Sequence, residues 1–125
     1  MTSDPRLIKR NALQEDPNPT AGMTRRHAIA ADGLTSGTVT TAPGVISGWH
    51  HHGTHETSIY ILRGILHMEF GGGAFDAHEG DFIHMPAGAV HRESNPGREP
   101  NLAVFSRAGT GTVTVNVEAP RSASR

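Results

Sequence analysis

The chain has no cysteine. Disulfides, thiolate zinc sites, iron–sulfur clusters and a cysteine nucleophile are therefore excluded together. Long apolar runs are missing as well. The longest strongly apolar stretch, Ile59–Leu62, is four residues, against the roughly 20 that a membrane-spanning helix needs. The opening segment MTSDPRLIKRNALQEDPNP has no apolar stretch behind its charges and does not read as a secretory signal. Cytoplasm is the expected location, which the lack of cysteine suits. Nor does one sign of charge prevail: 11 Lys+Arg face 12 Asp+Glu, for a formal charge of −1. Neither nucleic acid nor an anionic membrane is expected as a partner, because both require a basic footprint. Finally, no stretch of the body shows helical periodicity, and 125 residues leave no room for a helix-turn-helix beside another domain.

What is abundant is turn-formers and histidine: 15 Gly, 8 Pro and 9 His. Residues 1–24 are polar and broken by Pro5, Pro17 and Pro19, which predicts an arm ordered only in part. Residues 25–118 carry short runs rich in Val, Ile, Thr and aromatics. The predicted strands are Arg26–Ala30, Thr35–Thr41, Val45–His52, Ser58–Arg63, Ile65–Phe70, Ala74–His78, Asp81–Met85, His91–Glu93, Asn101–Arg107 and Val113–Val117. Turn signals such as Asp32-Gly33, Gly71-Gly72-Gly73 and Asn95-Pro96-Gly97 separate most of them. Many short strands at regular spacing indicate one all-β sandwich or barrel, followed by a polar tail over residues 119–125.

Four of the nine histidines fall in the string GWHHHGTHET, as His50, His51, His52 and His55. On an extended strand, residues two apart share a face at about 7 Å between Cα atoms. Two imidazoles at that spacing reach one ion through bonds of about 2.1 Å. Alternation puts Ile46, Gly48, His50 and His52 on one face, with Gly48 leaving room beside the pair. Glu56 follows the Gly53 turn and can return a carboxylate to the same ion. His91 follows a second reversal at Pro86 and Gly88. His50, His52, Glu56 and His91 form the candidate ligand set. A nitrogen and oxygen set of this kind suits one divalent transition metal: iron, manganese, nickel, copper or zinc. His51 has the wrong parity for a ligand. His84 reads as structural or as an orienting group, and His27, His67 and His78 as surface residues. Arg92 faces either a substrate anion or a neighbouring carboxylate, and Trp49 either an interface or a cavity mouth.

The spacing of these residues resembles the two signature motifs of the cupin superfamily of small β-barrels. The first, G-x5-H-x-H-x3/4-E-x6-G, is met by Gly44, His50, His52, Glu56 and Gly64; the second, G-x5-P-x-G-x2-H-x3-N, by Gly80, Pro86, Gly88, His91 and Asn95. The 15 residues between the motifs resemble the short spacer of small prokaryotic single-domain members. One interval departs. Seven residues, not six, separate Glu56 from Gly64, so the consensus carboxylate position falls on Thr57. Either a one-residue irregularity lets Glu56 coordinate, or the site is three histidines, with His55 as a possible fourth.

The resemblance implies a double-stranded β-helix, or jelly-roll barrel, and commonly a homodimer. It covers dioxygenases, isomerases, decarboxylases and epimerases, so fold alone does not choose a reaction. With Glu56 the site resembles the three-His, one-Glu dioxygenase and oxalate-degrading type; without it, the three-His thiol dioxygenase type. Dioxygenase-type chemistry on a small polar or anionic molecule is the leading expectation. A metal-dependent isomerase or decarboxylase, and a non-catalytic ligand-binding or sensing module, are the alternatives.

Overall fold

The computed structural model describes residues 4–111 and 113–121; residues 122–125 of the expected tail lie outside them. A short 3-10 turn, Arg10–Ala12, precedes eleven strands: β1 Gln14–Asp16, β2 Met23–Ala31, β3 Leu34–Thr41, β4 His50–His51, β5 Glu56–Arg63, β6 Leu66–Phe70, β7 Gly73–Ala77, β8 Phe82–Met85, β9 His91–Ser94, β10 Asn101–Ala108 and β11 Val115–Asn116. They form two sheets, ordered β1-β2-β3-β10-β5-β8 and β11-β4-β9-β6-β7. Every pairing within them is antiparallel. From β3 onward the chain passes back and forth between the sheets, which is the expected double-stranded β-helix or jelly roll. The sheets face each other without closing into one hydrogen-bonded cylinder. No described helix is long and apolar enough to cross a membrane.

Alternation places the core as the sequence implies. Ile61, Leu66, Met68, Ala77, Ile83, Met85 and Ala103 are buried together, with Ile59, Phe70 and Ala89 packed at the margin. Two glycines answer to close approaches. A Cβ at Gly37 would fall 2.0 Å from the Arg26 carbonyl oxygen, where β2 and β3 shift register between His27 and Ile29. Gly64, at φ +79°, lets the β5–β6 turn pass against Asn101. Two buried asparagines staple the loops between the sheets. Asn101 accepts from the Thr41 amide and donates to the Ile65 carbonyl. Asn95, the last residue of the second motif, donates to the carbonyls of Thr41 and Glu99 and accepts from the Gly97 amide.

One expectation fails. The strand predicted over Val45–His52 shrinks to His50–His51, and Ile46 is 53% exposed instead of facing inward with the histidines. Its only pairing is a lone bridge to Ser94, so strand parity does not carry back from His50. The arm, in turn, contributes an edge strand: β1 pairs with β2 at Gln14, Glu15 and Asp16, reinforced by the His27–Asp16 and Arg25–Asp16 contacts.

Candidate metal centre

His50 lies on β4 and His91 opposite it on β9; His52 follows at the end of β4. The ring centroids of the three are 4.3–5.2 Å apart, and one ligand nitrogen from each lies within 4.8 Å of the others. Each ring is oriented by the main chain. Nδ1 of His50 donates to the Gly48 carbonyl at 2.8 Å, Nδ1 of His52 to the Val113 carbonyl at 2.6 Å, and Nδ1 of His91 to the Ala89 carbonyl at 2.9 Å. A carbonyl only accepts, so the proton of each neutral ring is on Nδ1 and the lone pair on Nε2. Burial and the Arg107 charge push His52 down to about 3; burial and the neighbouring His50 push His91 down to about 4. Both rings are neutral ligands at neutral pH. Bonds of about 2.1 Å hold two nitrogens at most about 4.2 Å apart, so these rings close on one ion through movements of under about an ångström. The donor set fits a divalent transition metal, and carbonyls behind metal-bound imidazoles are the usual orienting partners.

The structure does not bring Glu56 to this group. The expected one-residue irregularity exists, but where Leu62 loops out of the β5–β10 ladder, near Gly64. On the histidine side the register is regular, Thr57 opposite Arg107 and Glu56 opposite Ala108. Inward parity belongs to Thr57, 1% exposed. Glu56 points out, its side chain 62% exposed, and its Oε2 accepts from Nε2 of His84 at 2.6 Å. His55 is buried but apart from the three, with its Nδ1 on the His52 carbonyl. His51 turns its ring to the Gly53 amide. A Cβ at Gly48 would meet nothing within 4 Å, so the room expected beside the pair is there. Arg92 forms a two-pronged ion pair with Glu69, the neighbouring-carboxylate alternative, and its guanidinium covers the Trp49 ring at 4.9 Å.

The three histidines line one wall of a cavity of about 300 Å3 between the sheets. Its other wall holds residues that sequence reasoning passed over: Arg25 on β2 and Arg107 on β10, with Glu93 beside the histidines on β9. Parity carried the signal. Glu93 stands two residues after His91, and Arg107 continues the buried series Asn101, Ala103, Phe105. Burial first, then the charge of Arg25, lowers Arg107 to about 10, while burial raises the Glu93 carboxyl. Pro17–Thr20 of the arm and Thr114 and Asn116 border the cavity.

Among solved structures, the polyketide cyclase RemF from Streptomyces resistomycificus superposes with a TM-score of 0.79 at 17% identity, covering 95% of this chain and 89% of its own. A sugar phosphate isomerase of the cupin superfamily from Silicibacter pomeroyi gives 0.71 at 18%, covering 84% and 76%. KdgF from Halomonas sp. gives 0.71 at 15%, covering 86% and 96%. At such identities the likeness is one of fold. No curated protein matches the chain. The cupin domain family, however, matches residues 37–107. That span runs from β3 to the end of the cavity wall at Arg107 and takes in all three histidines, so the chain belongs to the cupin family.

Proposed function

We propose that this cupin is a metalloenzyme that holds one divalent transition metal on Nε2 of His50, His52 and His91 and acts at a carbonyl group of a small polar or anionic molecule. The observation that carries this reading is the convergence of three imidazoles, each with Nδ1 on a main-chain carbonyl, at the wall of a substrate-sized cavity. Bound there, a divalent ion supplies Lewis-acid polarisation of a carbonyl oxygen. The chain's own residues do the rest. Gly48 leaves space for a substrate beside the ligands. Glu93 places a carboxyl oxygen in the same cavity, where it can hold or accept a proton. Pro17–Thr20 of the arm line the same cavity. The names of two structural neighbours, a polyketide cyclase and a sugar phosphate isomerase, support carbonyl chemistry of this kind. Dioxygenase-type chemistry would use the same three ligands and is separated by its need for dioxygen.

The test begins with elemental analysis of protein purified without an affinity tag or nickel column. About one iron, manganese, nickel, copper or zinc per chain is expected. His50→Ala and His91→Ala should each lose most of it while keeping the β-sheet spectrum; full stoichiometry in both variants overturns the site. Incubation of the loaded protein with small oxo- and hydroxy-acids in heavy water under anaerobic conditions should then show proton exchange or isomer formation. Turnover only with oxygen uptake would return the dioxygenase, and ligand binding without turnover the sensing module.

A further inference from the structure

A guanidinium carries five N–H donors and has no neutral refuge. Arg107 is 6% exposed, yet among the described residues the one hydrogen bond of its side chain runs from Nε to the Thr57 hydroxyl at 3.1 Å. Its Cζ lies 4.9 Å over the Phe105 ring, which covers one face of the plane. No described side-chain nitrogen or oxygen that is fully buried lacks a partner. The two terminal nitrogens of Arg107 are therefore open to the cavity that the residue lines. No described carboxylate comes within ion-pairing distance of it: Glu93, in the same cavity, acts on it through its charge without a hydrogen bond or ion pair, and Arg25, the other cation on this wall, is engaged by Asp16 at 3.8 Å. A buried cation with no directly paired anion is unfavourable, and the free edge of a guanidinium matches a carboxylate in two parallel hydrogen bonds.

We propose that Arg107 anchors a carboxylate of the cavity's ligand, which makes that ligand a small organic acid held at two ends. Its carboxylate lies on the terminal nitrogens of Arg107, on the six-stranded sheet. Its second oxygen function faces His50, His52 and His91 on the five-stranded sheet. Phe105, Ile59, Leu66 and Val39 flank the carbon skeleton between them, and a cavity of about 300 Å3 is at the small end of ligand sites. Thr57 is the positioning residue: standing where the first motif calls for a carboxylate, it holds Nε and turns the other edge of the guanidinium inward. The second end rests on the metal reading above; the anchor at Arg107 does not.

Calorimetric titration of the metal-loaded and metal-stripped protein with malonate, succinate and glutarate, each beside its diamide, tests this. At least one diacid is expected to bind the loaded protein while its diamide does not. Arg107→Met should weaken that binding by about tenfold or more with metal content unchanged, and Arg107→Lys should recover part of it. Because the substitution removes a buried charge that no carboxylate pairs directly, ligand-free Arg107→Met should melt at or above the wild-type temperature. Equal binding of acid and diamide, equal affinity in Arg107→Met, no binding of any diacid, or a lower melting temperature of the variant would each overturn the anchor. Loss of the metal reading would look different: the protein would take up no metal, yet diacid binding would still depend on Arg107.

Discussion

At the scale of single residues, direction decides function. Glu56 and Thr57 are neighbours in sequence, but only one side chain on a strand can face the cavity, and the burial of Ile61 and Thr57 settles which. Glu56→Ala should therefore leave the metal stoichiometry unchanged by elemental analysis; loss of metal would mean that the carboxylate reaches the ion. Alternation counted back from Ile61 already held this answer, and so did the six-residue interval to Gly64, which puts the consensus carboxylate position on Thr57 and not on Glu56. Arg107 was equally legible from parity and equally easy to miss, since a charge at a strand end reads by default as solvated. Asn95 makes the opposite point. Its motif position was visible, but its work, two hydrogen bonds within its own loop and one to the distant Thr41 carbonyl, could be known only from the fold. Asn95→Ala strands buried main-chain groups and should cost about 2–4 kcal/mol in denaturant unfolding; a change within measurement error would contradict the staple.

At the scale of elements, strands were recognisable where one face is apolar, as in β5, β6 and β10, and obscure where main-chain pairing alone makes the strand. β1 belongs to the second kind, three residues held at a sheet edge, whereas β11, two residues at the edge of the other sheet, lies inside the predicted strand Val113–Val117. β11 matters beyond its length, because the Val113 carbonyl just before it receives the Nδ1 proton of His52. A chain ending after Thr112 should bind metal roughly 10–100-fold more weakly in competition with a chelator; unchanged affinity would show that His52 needs no such support. The edges also account for histidines outside the three-histidine cluster. His27–Asp16, His67–Asp76 and His84–Glu56 join β1, β7 and β8 to their neighbours at 2.6–2.7 Å. Histidine abundance in the sequence thus had two causes, and only spacing separated them.

At the scale of the whole molecule, the buried imidazoles tie stability to acidity. His52 and His91 titrate near 3 and 4 in the folded metal-free protein and near 6.5 when unfolded. Between those values the unfolded chain binds protons that the folded one refuses. Their contribution is complete above about pH 6.5 and is lost as pH falls toward about 3. The raised Glu93 carboxyl acts in the opposite sense, one group against two. Thermal melts of the metal-free protein should shift downward between about pH 7 and about pH 4.5; a flat profile would contradict the burial of the pair. The expected homodimer would have a mass of 26.6 kDa, twice 13.3 kDa. Sedimentation at 13.3 kDa would reject it, and Phe82→Lys asks whether the edge strand β8, where Phe82 is 72% exposed, carries the contact. A last consequence follows from the carbonyls behind the three imidazoles. Because main-chain atoms aim the rings, side chains elsewhere are free to vary without disturbing the coordination frame. The opposite wall, with Arg107, Thr57 and Arg25, can therefore drift under selection on its own. A handful of substitutions on one sheet could thus change what the cavity accepts while the three-histidine frame on the other stays intact.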